Sequence, residues 1–304
     1  MTVDDAIDQA CSDVGIRPPK HRSYGKWLLT DTLEGRKGKG DGRVIINDHC
    51  VTAWNWKTSE KSTVSLRDGL SATEKRAVTA SVEKANKKAS EDRSRAARIA
   101  NELLARAIPA THEYLSRKGF PDERVMTVPA QVVRQLGGNY LVPAGATSAV
   151  LVPARRAGEV CSAQLIWEDG TKKFLYGGEI GGSSHRIGKG ADTWLCEGFA
   201  TGLSLRNALH GLKMRPTILC CFSAANIAAV ARSLSGRVFV AADHDQPRSQ
   251  FGGVGTGEHY ARQTMLPYGM PPDVGTDFND MHQRTSIFAV QRVLTSIMTG
   301  RRAA

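Results

Sequence analysis

Five carboxylates in the second half of the chain have the types and spacing to do chemistry. Glu197 is the one charge in "WLCEGFATGLSL" (residues 194–205), placed where a short apolar run meets Gly198. Asp243 and Asp245 stand in "VAADHD", and Asp277 and Asp280 in "GTDFNDMH", which reads as a loop. Residues i and i+2 of an extended chain point to the same side, so Asp243 and Asp245 can face one site while His244 points away. Carboxylates gathered together repel one another unless a cation sits among them. Magnesium suits such a set, because it takes oxygen ligands, keeps several waters and is completed by substrate phosphates; manganese is the alternative. Two such ions could activate an attacking hydroxyl and neutralise a leaving pyrophosphate. Glu197 could be a ligand, a general base or a partner behind the ligands. Gly198, lacking a side chain, lets backbone approach a phosphate closely. The competing reading of each acidic residue is a helix cap. His244 and His282 lie beside carboxylates, but an oxygen-preferring ion makes them poor candidates as ligands.

These residues need a scaffold. From residue 193 the pattern is βαβαβα: "TWLCE", "TILCCF" and "RVFVAAD" read as buried strands. "TGLSLRNALHGL", "IAAVARSL" and "GEHYARQTML" read as helices, and a last helix covers 286–298. That alternation predicts a parallel sheet with helices on both faces and a site at the carboxyl ends of its strands. Glu197 ends the first strand and Asp243 and Asp245 end the third. Asn226, in "FSAAN" after the second strand, could cap a helix or orient substrate; Asn279 could fix its loop. "GGVGTGEHYA" (252–261) reads as a loop entering a helix that could hold a phosphate, but it lacks the Lys-Ser/Thr of a phosphate-binding P-loop.

The preceding chain differs in texture. Residues 1–16 read as a short helix with Ala6, Ala10 and Val14 on one side. "GRKGKGDGRVIINDHCVTAWNW" reads as an antiparallel sheet with a basic loop holding Arg36, Lys37 and Lys39, and with Trp27, Trp54 and Trp56 as its core. That loop and the tryptophans are a candidate contact for single-stranded DNA. Residues 71–108 are rich in Ala, Lys, Arg and Glu with no Gly or Pro, which predicts a long, largely exposed helix or helix pair ended by Pro109. Strands are predicted at 148–153, 160–167 and 173–176, with a hairpin turn at Asp169-Gly170.

The chain has 304 residues, net charge +11 and a 41% hydrophobic content, so it can bury a sizeable core and favours a polyanionic partner. Six scattered cysteines form no C-x-x-C pair, so zinc is not expected. Cys196, Cys220 and Cys221 lie in apolar runs and read as core thiols in a reducing cytoplasm. The acidic start "MTVDDAIDQA" does not resemble a signal peptide, and no run reaches the length of a membrane span.

"CEGFATGLSL", "VAADHD" and "GTDFND" together resemble the Toprim domain shared by bacterial-type primases and topoisomerases. Glu197 to Gly202 is similar to the E-G-Y-A-T-A motif of phage- and plasmid-type primases, with Phe199 and Gly202 in place of Tyr and Ala. "HEYLSRKGF" (113–120) and "KFLYGG" (173–178) resemble the segment before Toprim in those proteins. The resemblance covers roughly residues 110–295. It implies an α/β fold: a Toprim-like parallel sheet flanked by helices, preceded by a mixed α+β subdomain and a small N-terminal β-rich domain. The implied domains are 1–68, zinc-free and a possible DNA contact; 69–109, a helical connector; 110–190, the N-terminal subdomain of a primase core; and 191–304, the catalytic domain.

By the same resemblance, Glu197, Asp243 and Asp245 are catalytic and, with Asp277 and Asp280, hold the metal. Lys172, Lys173 and Arg186, with Lys118 as a weaker candidate, hold template and nucleotide. The implied activity is a DNA primase making short RNA primers on single-stranded DNA from ribonucleoside triphosphates, in phage or plasmid replication in the cytoplasm of a bacterial host. The sequence has no Walker motif, so a replicative helicase would be a separate partner. The N-terminal region lacks the Cys/His ligands of replicative primases. The alternatives are a Toprim nuclease and a non-catalytic DNA-binding replication accessory.

Overall fold

The computed structural model describes residues 2–33, 37–56, 60–66 and 72–300, so Arg36 lies outside the described residues. The chain divides into two compact units, Met1–Glu91 and Asp92–Ala304.

In the first unit, α1 (Val3–Asp13) opens with a capping box in which Thr2 and Asp5 each accept the other's backbone N–H. A four-stranded antiparallel sheet follows in the order β1 (Leu28–Thr30), β2 (Gly42–Ile46), β3 (Cys50–Asn55), β4 (Lys61–Ser65). Its core lies on one face only, where Ala6, Ile7, Ala10 and Cys11 of α1 meet Val44, Ile46, Val51 and Ala53. The tryptophans are not that core, contrary to the sequence expectation. Trp54 and Trp56 alternate with the buried Val51, Ala53 and Asn55, so they fall on the opposite face. Trp27 is 45% exposed and Trp56 54%.

Within the polar stretch a single helix forms, α2 (Ala72–Arg106), and the division between the units falls along it, after Glu91; it stops at Arg106, ahead of Pro109, which lies in a strand. In the second unit its end buries Ala96, Ala100 and Leu103 against an antiparallel sheet of five strands. Those strands are β5 (Ile108–Ala110), β6 (Val125–Pro129), β7 (Ser148–Arg156), β8 (Glu159–Trp167) and β9 (Lys172–Phe174), side by side in chain order. Two helices interrupt them, α3 (Glu113–Arg117) and α4 (Ala130–Gly137). β7 is an almost continuous apolar run because both its faces are covered. Ala149 and Leu151 face α2 and α4, while Val150 and Val152 join Tyr114, Leu115 and the next layer.

That layer is the second sheet, in the order β10 (His185–Ile187), β12 (Thr217–Cys220), β11 (Thr193–Cys196), β13 (Val238–Ala241), β14 (Tyr268–Gly269). β11 to β14 are parallel, and only the edge strand β10 is antiparallel. α5 (Phe199–Gly211) and α9 (Ile287–Thr299) cover one face, through Leu203, Ala208, Leu209, Val290 and Leu294. α6 (Ala224–Ala231) and α7 (Thr256–Gln263) cover the other, through Ile227, Val230 and Ala261. α8 (Phe278–Arg284) lies between α7 and α9 in the chain. Gly202 lets α5 lie close on the sheet: a Cβ there would sit 2.6 Å from Cys220 Sγ and 3.0 Å from Ile187 Cδ1. The sulfur-bearing strand residues occupy the room that an alanine would need. No helix among the described residues is long and apolar enough to cross a membrane.

Candidate active site

The ends of β11 and β13 lie side by side, because Thr193 to Leu195 pair in parallel with Val238 to Val240. Glu197 and Asp243 therefore leave the sheet at the same edge. Two further elements close on them. Gly257, in the first turn of α7, donates its N–H to Asp245 Oδ2 at 2.8 Å. Asp277 caps α8 by accepting from Asn279 N at 2.7 Å and Asp280 N at 2.8 Å, and Asp280 Oδ2 accepts from Asp277 N at 3.3 Å. The stretch expected to be a loop is thus the start of a helix with a reciprocal capping box. The signal was present as Asp-x-x-Asp ahead of Met281, but seven residues are too few to show a helical period.

Asp243, Asp245, Asp277 and Asp280 line one pocket of about 320 Å³ together with Gln246, Arg248 and Thr276, which the sequence reading did not single out. Glu197 lies outside that lining but within its field. Burial is the first cause raising the Glu197 carboxyl to about 7; Asp245 and Asp277 push the same way. The N–H of Ala224, at the start of α6, and Lys172 oppose them. Burial also raises Asp243 well above the usual carboxylate range, followed by Glu197, Asp277 and Asp245. Asp243 Oδ1 is sealed from solvent and has no hydrogen-bond partner. A buried carboxylate oxygen with no donor is costly, and a cation at that oxygen removes the cost.

The donor chemistry suits a hard divalent ion: four carboxylates, with the oxygens of Gln246 and Thr276 beside them, no histidine or cysteine in the lining, and room for water. Among the described residues no three His, Cys, Asp or Glu side chains are grouped so as to hold a metal by themselves. A magnesium-type ion needs only one or two carboxylates, with water and substrate phosphates completing it. His244 is turned away, its Nδ1 2.8 Å from Pro271 O. His282 packs on Phe120 and its Nδ1 meets Ser204 Oγ at 3.2 Å, so neither histidine faces the pocket's carboxylates as a ligand would.

The basic candidates divide. Lys172 acts on both Glu197 and Asp243, and a Cβ on Gly198 would lie 4.0 Å from its Nζ. β9 is anchored there because Phe174, on the same face as Lys172, packs edge-on against Phe222 with ring centroids 5.5 Å apart. Phe222 adopts φ +69 just past β12, and its N–H donates to Glu197 O at 2.9 Å. Lys173 alternates to the other face of β9. Lys118 reaches Asp280 at 4.0 Å. Arg186 lies on the edge strand in a separate pocket with Arg155 and Ser233, away from the carboxylates. Lys37 and Lys39 are exposed in the first unit, on a loop held by Asp31, which accepts the N–H groups of Gly38 and Gly40 at 2.8 Å each.

Asn226 commits its whole amide internally. Its Nδ2 donates to Ser183 O and Cys221 O, its Oδ1 accepts from Gly182 N, and the cap of α6 is Ser223 instead. Asn279 ties α8 to its neighbours by donating to Lys118 O and Ser204 Oγ.

Residues 192–287 match the family model of the Toprim domain. All five carboxylates and Gly198 fall inside the Toprim stretch, whereas Lys118, Lys172, Lys173 and Arg186 precede it. Among solved structures, the chain is similar to one in the structure of the bacteriophage T7 lagging-strand DNA polymerase interacting with primase domains of two gp4 subunits bound to an RNA/DNA hybrid and dTTP. The identity is 12% and the TM-score 0.39, over 63% of this chain and 91% of that chain.

Two glycines of "GVGTGEHYA", Gly255 and Gly257, stand where there is no room for a side chain. A Cβ on Gly257 would collide with the Asp243 carbonyl, and one on Gly255 with the Asp245 carbonyl. Gly257→Ala must push α7 off the strand end and strain the Asp245 hydrogen bond. A cost of about 1–3 kcal/mol is expected, as for other overpacked sites, read as a melting temperature several degrees lower. An unchanged melting temperature would show that α7 shifts freely.

Proposed function

We propose that the chain is a DNA primase of the phage or plasmid type, which joins ribonucleotides into short primers on single-stranded DNA. One observation carries this reading: within the Toprim stretch, Asp243 offers a buried, unpartnered carboxylate oxygen in the shared field of Glu197, Asp245 and Asp277. Asp243 and Asp245 would hold the divalent ion, magnesium or manganese, with Glu197 beside them. When bound, the ion supplies a Lewis acid for the 3′-hydroxyl and a counter-charge for the leaving pyrophosphate.

The 3′-oxygen of the growing primer attacks the α-phosphorus of the incoming ribonucleoside triphosphate. The bond to the β-phosphate oxygen breaks and pyrophosphate leaves. Glu197 takes the proton of the 3′-hydroxyl on its carboxylate; without metal, burial raises that carboxyl to about 7, and a cation held by Asp243 and Asp245 would favour its ionised, proton-accepting form. Lys172 stands where a phosphate would lie against the side-chain-free Gly198 and offsets negative charge gathered there. Lys118 holds Asp280 at the far rim. The net charge of +11 favours the polyanionic template.

The test is release of pyrophosphate from the four ribonucleoside triphosphates with magnesium, with and without single-stranded DNA. Template-dependent release is expected. Shortening of the DNA without nucleotides would replace this reading with a nuclease, and neither reaction with an accessory role.

A further inference from the structure

The first unit's sheet has one face sealed by α1 and another left open. Across the open face runs a transverse row of directly opposed residues, one from each strand: Leu29, Arg43, Trp54 and Lys61. Trp56, one residue past the end of β3, keeps the alternation of Trp54, and Trp27 lies just ahead of β1 on the same alternation as Leu29. The three indoles touch in series, with centroids 6.1 Å apart for Trp27–Trp54 and 5.1 Å for Trp54–Trp56. Each cation lies on an indole: the Arg43 guanidinium 4.6 Å above Trp56, and Lys61 Nζ 4.2 Å above Trp54.

Large aromatics stabilise a fold most when their rings are buried, yet this fold leaves Trp27 and Trp56 about half exposed. Charge is sorted across the sheet as well. Asp4, Asp5, Asp8 and Asp13 ride on α1, behind the sheet, whereas the strand residues of the open face include no acidic side chain; Asp41, just before β2, stands at its edge, where its carbonyl accepts the N–H of Trp56. The loop carrying the exposed Lys37 and Lys39 borders the face, since a Cβ on Gly40 would lie 3.3 Å from Leu29 Cδ2. Stacking surfaces interleaved with cations suit a strand whose bases are unpaired. We propose that this face is a single-stranded DNA platform, with bases stacking on Trp27 and Trp56 and phosphates meeting Arg43 and Lys61.

The proposal goes beyond the primase reading and is tested apart from it, with the full chain in chelator, without nucleotides. Trp167 and Trp194 are 0% exposed, so quenching of tryptophan fluorescence by oligo(dT) reports on the three indoles of this face. Quenching is expected. Trp27→Ala and Trp56→Ala should each weaken binding about fivefold or more, the low end for loss of one stacked base. Arg43→Ala should make affinity less dependent on salt. The core on the α1 side is untouched by these substitutions, and circular dichroism checks it. Absence of quenching in the unaltered chain would overturn the proposal without any variant. So would unchanged affinity in both tryptophan variants, or equal quenching by duplex of the same length. Any of these results leaves primer synthesis free to succeed or fail by itself.

Discussion

Asp243→Asn is expected to lower metal-dependent nucleotidyl transfer by about a thousandfold or more while the protein stays folded. The magnitude follows from losing metal-borne charge stabilisation of several kcal/mol. The folded state should be no less stable without metal, and its advantage over the wild type should grow as pH rises. Burial and three neighbouring carboxylates already push the Asp243 carboxyl upward, so its ionised form is a burden that asparagine does not carry. Activity and metal-free melting, read side by side, separate this from simple unfolding. Wild-type synthesis by the variant would show that the orphan oxygen serves no ion.

Glu197→Gln is expected to cost turnover at least about 100-fold, the low end of acid–base contributions, with DNA affinity held or slightly improved. It carries a second signature. The folded Glu197 carboxyl is raised from 4.5 to about 7. Between those values the folded state binds a proton that the unfolded chain has released, so stability is full at low pH and is lost as pH rises through 7. The full shift corresponds to roughly 3 kcal/mol. Metal-free melting temperature should therefore fall from about pH 5 to pH 8 in the wild type, and the variant should lose part of that slope. A variant with the same slope would mean that Glu197 is not the titrating group.

Much of this site was legible in the sequence because its parts are local. Glu197 and the Asp243/Asp245 pair end short, uniformly apolar strands, and i, i+2 spacing alone turns His244 away. What was not legible depends on tertiary packing. Trp54 and Trp56 look like core by composition. Only the pairing of β3 with α1 on one side shows that Val51 and Ala53 take that role and leave the indoles outside. Asp277 and Asp280 looked like loop because their helix is seven residues long. Asn226 follows a strand as a substrate-orienting residue would. Beside the local Cys221 O, its partners Gly182 and Ser183 lie more than forty positions upstream in a glycine-rich stretch that gave no strand signal, although β10 forms there. The nearness of Lys172 to Glu197 likewise comes from the Phe174–Phe222 contact between two sheets, which no local pattern encodes.

The most direct measurement is gel-resolved product formation from labelled ribonucleotides on single-stranded DNA with magnesium, comparing the wild type with Asp243→Asn. New oligoribonucleotides from the wild type, and none from the variant at equal DNA binding, are the expected result. Products of equal yield from both proteins, or none from the wild type under any template and divalent metal, would contradict the assignment of these carboxylates to primer synthesis.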